Sequence, residues 1–316
     1  METTLISNRI VVKVGTSTLT RDGGELNLRS FDRLARVISD VQNMGYEVIL
    51  VSSGAIAVGA NKMHMKDRPG ELRLKQAAAA VGQCELMFLY DKFFGDYSKT
   101  VGQILLTGDD IGYPHTRKNL INTFDSLLEL GVIPIVNEND SVCYAEIETR
   151  LAPERSVLGD NDTLSAIVAK LCKAKTLVLL SDIDGLYEAD PRETPDARLI
   201  REIRIIDEEI RSLAGGAGSN RGTGGMITKL RAAQMAMEAG IDMYITNGEN
   251  PDALYDIAAG EHRGTLFAGK RISAETVNFL ETFELLKTYE FADNREGSSI
   301  GQDTDNYFKE DNNDNA

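Results

Sequence analysis

Short apolar runs rich in β-branched residues recur along the chain at 10–14, 48–51, 101–106, 132–136, 177–180 and 243–245. Each has the length and continuous apolarity of a strand buried on both faces. Between them lie stretches with helical spacing, such as Leu34, Val37, Ile38 and Val41, the alanine-rich 76–90, and 164–171. A chain that alternates strand and helix in this way builds a mostly parallel sheet with helices on both faces, an α/β architecture. At 316 residues and 42% hydrophobic content it can bury one substantial core. One domain is therefore expected over 1–268. After it, 269–316 reads as a helix around 277–289 and a polar tail, and the Asp- and Asn-rich 303–316 has the composition of a disordered segment.

In sheets of this kind ligands bind beyond the carboxyl ends of the strands, where loops pass into helices. Polar and glycine residues follow several of the runs directly: Gly15-Thr16-Ser17, Ser52-Ser53-Gly54, Asn137-Glu138-Asn139-Asp140 and Ser181-Asp182. The balance of 34 basic against 49 acidic side chains gives a net charge of -15, which opposes general affinity for nucleic acid or an anionic membrane. An anionic ligand must then be drawn in locally, by lysines and backbone N–H groups. Cys84, Cys143 and Cys172 are widely spaced and form neither a disulfide framework nor a CxxC metal site, so buried free thiols in a reducing compartment are expected. No leader-like or transmembrane-length run is visible, which points to the cytoplasm.

Lys13 lies inside the first apolar run, just before Gly15. An unpaired buried ammonium is costly, so it either has a carboxylate partner, snorkels to water, or serves a ligand. Gly222, Thr223, Gly224, Gly225 and Met226 open a helical stretch over 227–239 with Lys229 near its start. Free N–H groups and the positive end of the helix dipole make such a start a seat for phosphate, and a lysine is unfavourable there unless an anion binds beside it. A surface loop with an exposed lysine is the bland alternative. The segment does not match GxxxxGK[ST], and no GxGxxG follows the first strand, so neither a P-loop nor a Rossmann dinucleotide site is supported. Asn137 and Asp140 could hold an ammonium group or merely form a turn. Asn161 or Asp162 could be no more than a helix N-cap. The 181–185 stretch lacks the ligands of a calcium loop, and His64, His115 and His262 have no metal-ligand spacing.

Seven ordered segments resemble the amino acid kinase family from about Arg9 to about Phe267. They are Val11-Val12-Lys13-Val14-Gly15-Thr16-Ser17, Val51-Ser52-Ser53-Gly54-Ala55-Ile56, Ala79-Ala80-Val81-Gly82-Gln83, Ile135-Val136-Asn137-Glu138-Asn139-Asp140, Gly159-Asp160-Asn161-Asp162, Leu180-Ser181-Asp182 with Gly185-Leu186-Tyr187, and Gly222 to Met226 with Thr228-Lys229. The resemblance implies a three-layer αβα sandwich with ATP over the carboxyl-terminal part of the sheet and the acceptor acid over the amino-terminal part. Within the family, the pattern is most similar to the branch that phosphorylates the γ-carboxylate of L-glutamate in proline biosynthesis. It assigns Lys13, Lys229 and Asp162 to catalysis, the two lysines neutralising charge and Asp162 organising them. Ser53, Gly54, Asn137, Asp140 and Asn161 then hold the amino acid. Lys13, Gly15, Ser181, Asp182, Thr223, Gly224, Gly225, Met226 and Lys229 hold the nucleotide, and Mg²⁺ accompanies it without assigned ligands. The resemblance further implies a homo-oligomer and proline as a feedback inhibitor sensed through 145–158, and the lability of γ-glutamyl phosphate suggests association with the reductase that consumes it. A C-terminal PUA domain, common in bacterial relatives, is not expected in the remaining length. Acetylglutamate, aspartate or carbamate kinases are the alternatives within the family, and paired amide and acidic groups favour a substrate with a free α-ammonium. A catalytically silent amino-acid sensor is a third reading, against which both Lys13 and Lys229 argue.

Overall fold

Strand β1 (Ile6–Val14) is followed by the short helix α1 (Thr16–Leu19), α2 (Leu28–Asn43), β2 (Glu47–Ser52), α3 (Ala55–Lys62) and α4 (Leu72–Gly95). Next come β3 (Val101–Leu106), α5 (Gly108–Gly112), α6 (Pro114–Glu129) and β4 (Ile133–Glu138). The second half supplies α7 (Asn161–Leu171), β5 (Ala174–Ser181), β6 (Glu202–Ile203), α8 (Glu208–Leu213), α9 (Met226–Glu238), β7 (Asp242–Asn247), α10 (Ala253–Ala258) and β8 (Thr265–Phe267). The computed structural model describes residues 6–21, 24–67, 69–142, 160–191, 193–214 and 225–270. All of them fall within one unit, Thr3–Arg271. The 145–158 segment, Thr223 and Gly224, and the C-terminal helix and tail expected from the sequence lie outside the described residues.

All six apolar runs are strands of a single sheet with the order β3-β4-β2-β1-β5-β7-β8-β6. Five of its seven pairings (β1–β2, β1–β5, β2–β4, β3–β4 and β5–β7) join these six strands in parallel, which bears out the α/β expectation. From β1 the chain lays β2, β3 and β4 to one side, then crosses to β5 on the other. This places a topological switch point at the carboxyl end of β1, where open α/β sheets form their ligand crevice. In register, Lys13 stands between Val51 of β2 and Leu179 of β5.

The pleat divides the core into two layers. On one face Ile10, Val12 and Val14 pack with side chains of α2, α3, α4 and α10, including Leu34, Val58, Leu86 and Leu254. On the other face Val11 packs with α6, α7 and α9 through Phe124, Leu164, Val168, Ala232 and Ala236. Odd-numbered residues of β1 therefore point toward α7 and α9, and Arg9 and Lys13 share that side with Val11. Arg9, only 5% exposed, reaches Glu47 Oε2 at 2.7 Å, Asp125 Oδ1 at 3.0 Å and the carbonyl oxygen of Cys172 at 2.6 Å. Cys172 is the C-cap of α7. One strand thus lends a cation to each end of that helix, Arg9 at its C-terminus and Lys13 at its N-terminus. The first of these contacts complements the negative end of the helix dipole.

Two expectations need correction and one, the mostly parallel sheet, is refined. The run 101–106 is an edge strand whose outer positions Val101, Gly102 and Leu105 are only partly buried and whose Gln103 is exposed, because β3 has a neighbour on one side only. The sheet is also mixed at its far edge: β8 pairs antiparallel with β7 and parallel with β6. Strands of two and three residues are too short to leave a periodic signal. Finally, Cys84 is exposed on the outer face of α4 while Cys172 is buried, and burial pushes the Cys172 thiol up. Among the described residues no helix is long and apolar enough to cross a membrane.

Candidate active site

At the carboxyl end of β1, two ammonium groups converge on one carboxylate. Lys13 Nζ lies 2.6 Å from Asp162 Oδ1, and Lys229 Nζ lies 3.2 Å from Asp162 Oδ2. All three side chains are buried. The Lys13 approach is an ion-pair contact rather than a well-directed hydrogen bond, since Oδ1 has no partner of good hydrogen-bond geometry. Oδ2 also accepts from Thr228 Oγ1 at 2.9 Å. Burial alone would raise the Asp162 carboxyl, but attraction to Lys13 and Lys229, with the hydrogen bond from Thr228, holds it below the usual carboxylate range.

Local sequence explains why these groups meet. The N-cap of α7 is Asp160, whose carboxylate accepts from Thr163 N at 2.9 Å and from Thr163 Oγ1 at 3.0 Å. This corrects the N-cap assignment considered for Asn161 or Asp162. With the cap supplied one residue earlier, both lie in the first helical turn and face the switch point. Helix α9 has Gly225 as its N-cap, which offers no side-chain cap, and Lys229 sits one turn in, 7% exposed. An exposed lysine on a surface loop is thereby ruled out. Thr228 Oγ1 additionally bonds Gly225 O at 2.8 Å, closing the first turn.

Beside the triad lies a connected set of amides. Asn161 Nδ2 is within 2.9 Å of Ser52 O, 3.0 Å of Ser53 Oγ and 2.9 Å of Asn137 Oδ1. Asn137 Oδ1 also accepts from Glu138 N at 2.9 Å, and Asn137 Nδ2 donates to Gln83 Oε1 at 2.9 Å. Ser52 Oγ shares a 2.7 Å hydrogen bond with the buried hydroxyl of Tyr90. Gly54 adopts φ +104°, a left-handed turn into α3 that glycine alone takes without strain. Asp140 follows β4, and desolvation raises its carboxyl to about 6.

On the β5 side, Ser181 ends the strand, donates to Asp182 Oδ1 at 3.1 Å and accepts Gly248 N at 2.7 Å through its carbonyl. A side chain added at Gly15 would find its nearest atoms, Lys13 Nζ among them, at 3.8 Å. The protein's own packing therefore does not demand glycine there, and the space left lies beside the Lys13 ammonium. Gly225 and Met226 begin α9. The structure thus brings Lys13, Lys229 and Asp162 into direct contact, links Ser53, Asn137 and Asn161 by hydrogen bonds, and sets Gly15, Gly54, Asp140, Ser181 and Asp182 at strand ends on the same edge. Thr228, Gln83 and Ser52 were quoted in the sequence segments without a role. Thr228 adjoins Lys229, and Gln83 is a polar residue inside an alanine-rich helix, a pattern that could have drawn attention to it.

The sequence profile of the amino acid kinase family matches residues 8–247. The chain belongs to this family. Among its amino acid kinase relatives, the glutamate 5-kinase of Clostridium perfringens (strain 13 / Type A) is 56% identical over 265 residues, 84% of this chain and 97% of that protein. The glutamate 5-kinase of Listeria monocytogenes serovar 1/2a is 54% identical over 265 residues, 84% of this chain and 94% of that protein. Solved structures share the amino acid kinase fold at low identity. Carbamate kinase from Giardia lamblia bound to AMP-PNP has a TM-score of 0.58 at 17% identity, covering 84% of this chain and 99% of that one. UMP kinase from Ureaplasma parvum has a TM-score of 0.54 at 15% identity, covering 83% and 99%.

Proposed function

We propose that this protein transfers the γ-phosphoryl group of ATP to the γ-carboxylate of L-glutamate, giving γ-glutamyl phosphate and ADP, the first step of proline biosynthesis. The observation that carries the reading is the Lys13–Asp162–Lys229 triad at the switch point, next to an amide and carboxylate cluster, in a chain 56% identical to a glutamate 5-kinase.

A carboxylate is already a nucleophile at neutral pH, so no general base is required. Its oxygen forms a bond to the γ-phosphorus as the bond to the β–γ bridging oxygen breaks, and that electron pair leaves on ADP. Phosphoryl transfer asks the protein for positioning and charge stabilisation. Lys13 and Lys229, fixed by Asp162, supply the cations for the equatorial and leaving oxygens. Ser53, Gly54, Asn137, Asp140 and Asn161 hold the amino acid, with Asp140 as counter-ion to its ammonium. Gly15, Ser181, Asp182 and the 223–229 segment hold the nucleotide.

For Mg²⁺ the donor set matters. Both Asp162 oxygens are engaged by cations, and among the described residues no group of three His, Cys, Asp or Glu could hold a metal. This fits an ion carried in on the nucleotide phosphates, where it would neutralise charge on the transferring group.

The test is turnover of the purified chain with ATP, Mg²⁺ and each candidate acid, the acyl phosphate being trapped with hydroxylamine. Glutamate should yield hydroxamate in step with ADP, and N-acetylglutamate, aspartate and bicarbonate-derived carbamate should not. Absence of a glutamate product would defeat the reading.

A further inference from the structure

The amide cluster has a direction that two backbone groups fix. Ser52 O can only accept, so the end of Asn161 at 2.9 Å from it is the Nδ2 donor. Glu138 N can only donate, so the end of Asn137 at 2.9 Å from it is Oδ1. Asn161 Nδ2 to Asn137 Oδ1 is then the one consistent pairing, and Asn137 Nδ2 must meet an acceptor, which is Gln83 Oε1. Reversing any single amide would set donor against donor or acceptor against acceptor. The orientation therefore follows from the backbone and is not a free choice of O and N.

The bookkeeping leaves two ends over. Asn161 retains Oδ1, an acceptor, and Gln83 retains Nε2 with both hydrogens. Among the described residues neither atom has a hydrogen-bond partner. Gln83 itself is 8% exposed, held in the middle of α4. A site with acceptors at one end and an amide donor at the other suits a zwitterion. Resting on the reading of this cluster as the glutamate site, we propose that Gln83 is a specificity residue. Its Oε1 anchors Asn137 Nδ2 and so holds the Asn137–Asn161 pair in its backbone-set polarity, with acceptors toward the substrate ammonium, while its Nε2 donates to a substrate carboxylate.

Two variants test this. Gln83→Glu keeps an acceptor for Asn137 Nδ2 but replaces the donor with a negative charge. Gln83→Met, of similar volume, removes both functions. For each, circular dichroism and thermal unfolding establish that the chain is folded, and initial rates are measured by hydroxamate and ADP release. Gln83→Glu should raise KM for glutamate by about tenfold or more, with kcat within about threefold and KM for ATP within about twofold, the pattern of lost ground-state binding at one substrate only. Gln83→Met should raise KM for glutamate as well and narrow the preference for glutamate over glutarate, which lacks the ammonium. A KM for glutamate within twofold of the parent in either folded variant overturns the proposal, as does an equal rise in KM for ATP. If the added charge prevents Gln83→Glu from folding, the methionine variant carries the decision. Failure of the unsubstituted chain to use glutamate strikes the underlying functional reading instead, so the two failures are distinguishable.

Discussion

Asp162 is bonded to both lysines and to Thr228, so substitutions here separate charge from shape. Asp162→Asn keeps the size but leaves two buried ammonium groups facing a neutral amide. Breaking a buried pair by removing one partner costs on the order of 3–5 kcal/mol. We expect Asp162→Asn to lower both urea stability and kcat. Lys13→Ala leaves Asp162 still paired with Lys229, so its stability loss should be the smaller, while kcat falls by about a hundredfold or more for the lost transition-state contact. Hydroxamate rates alongside urea unfolding check the contrast; equal stability losses would refute it. The two acids of the site respond oppositely to pH. The Asp162 carboxyl is depressed, so its contribution to stability is present above the ordinary carboxylate range and is lost only as pH falls through the lower folded value. The Asp140 carboxyl is raised to about 6, so the folded state holds a proton that the unfolded chain releases, and this group's contribution to stability diminishes as pH rises through about 6. Its charged form, the one that attracts an ammonium, is lost below that pH. The KM for glutamate should therefore climb as pH drops from 7 to 5, and Asp140→Asn should flatten the climb while raising KM at pH 7. A parent profile with no inflection near 6 would argue against Asp140 as the counter-ion.

At the scale of elements, the crossing of α3 and α4 sets where the Gly54 turn stands. A Cβ at Gly59 would lie 1.8 Å from Ala78 O, and one at Gly82 would lie 1.8 Å from Ala55 O. The two helices touch backbone to backbone, and neither clash can be relieved by a side-chain rotation. Gly82→Ala must push α4 away from the start of α3, one residue from Gly54 and one from Gln83. Overpacking of this kind costs about 1–3 kcal/mol, sometimes more, and a lower Tm together with a raised KM for glutamate is expected. Unchanged values in both would show that the helices separate without consequence. This contact was invisible in the sequence, where Gly82 is one small residue in an alanine-rich stretch. The helices themselves were legible from spacing, and the strands β1, β2, β4, β5 and β7 from apolar runs, because burial on both faces leaves an unbroken signal. The edge strands β3 and β6, and the short β8 between β7 and β6, were misjudged or missed, since half-burial in β3 and lengths of two or three residues in β6 and β8 leave no such trace. Asp160 was passed over as the α7 cap because three consecutive polar residues, Asp160, Asn161 and Asp162, are equally good caps on paper.

On the scale of the whole molecule, the site is a property of strand order. Lys13 comes from β1, Asn137 from the end of β4, Asp162 from α7 and Lys229 from α9, and only the reversal of direction at β1 brings all four to one edge. The sequence exposed these residues as polar interruptions after apolar runs, but their distances required the crossover from β4 to β5, which no local pattern records. The same topology indicates where the catalytic unit closes. After β8, Gly269 N donates to Asp242 Oδ1 at 2.9 Å and Lys270 N donates to Met237 O at 2.9 Å, tying the chain back to β7 and α9. The 265 residues matched by the Clostridium perfringens relative take up 97% of that protein but 84% of this chain, so that relative carries little beyond the matched part. A chain ended after Arg271 should therefore fold in one cooperative transition and retain kcat and both KM values within about twofold, since it keeps the whole sheet and every residue assigned to the site. Loss of solubility, of the thermal transition or of turnover in the shortened chain would show that residues 272–316 complete the catalytic unit.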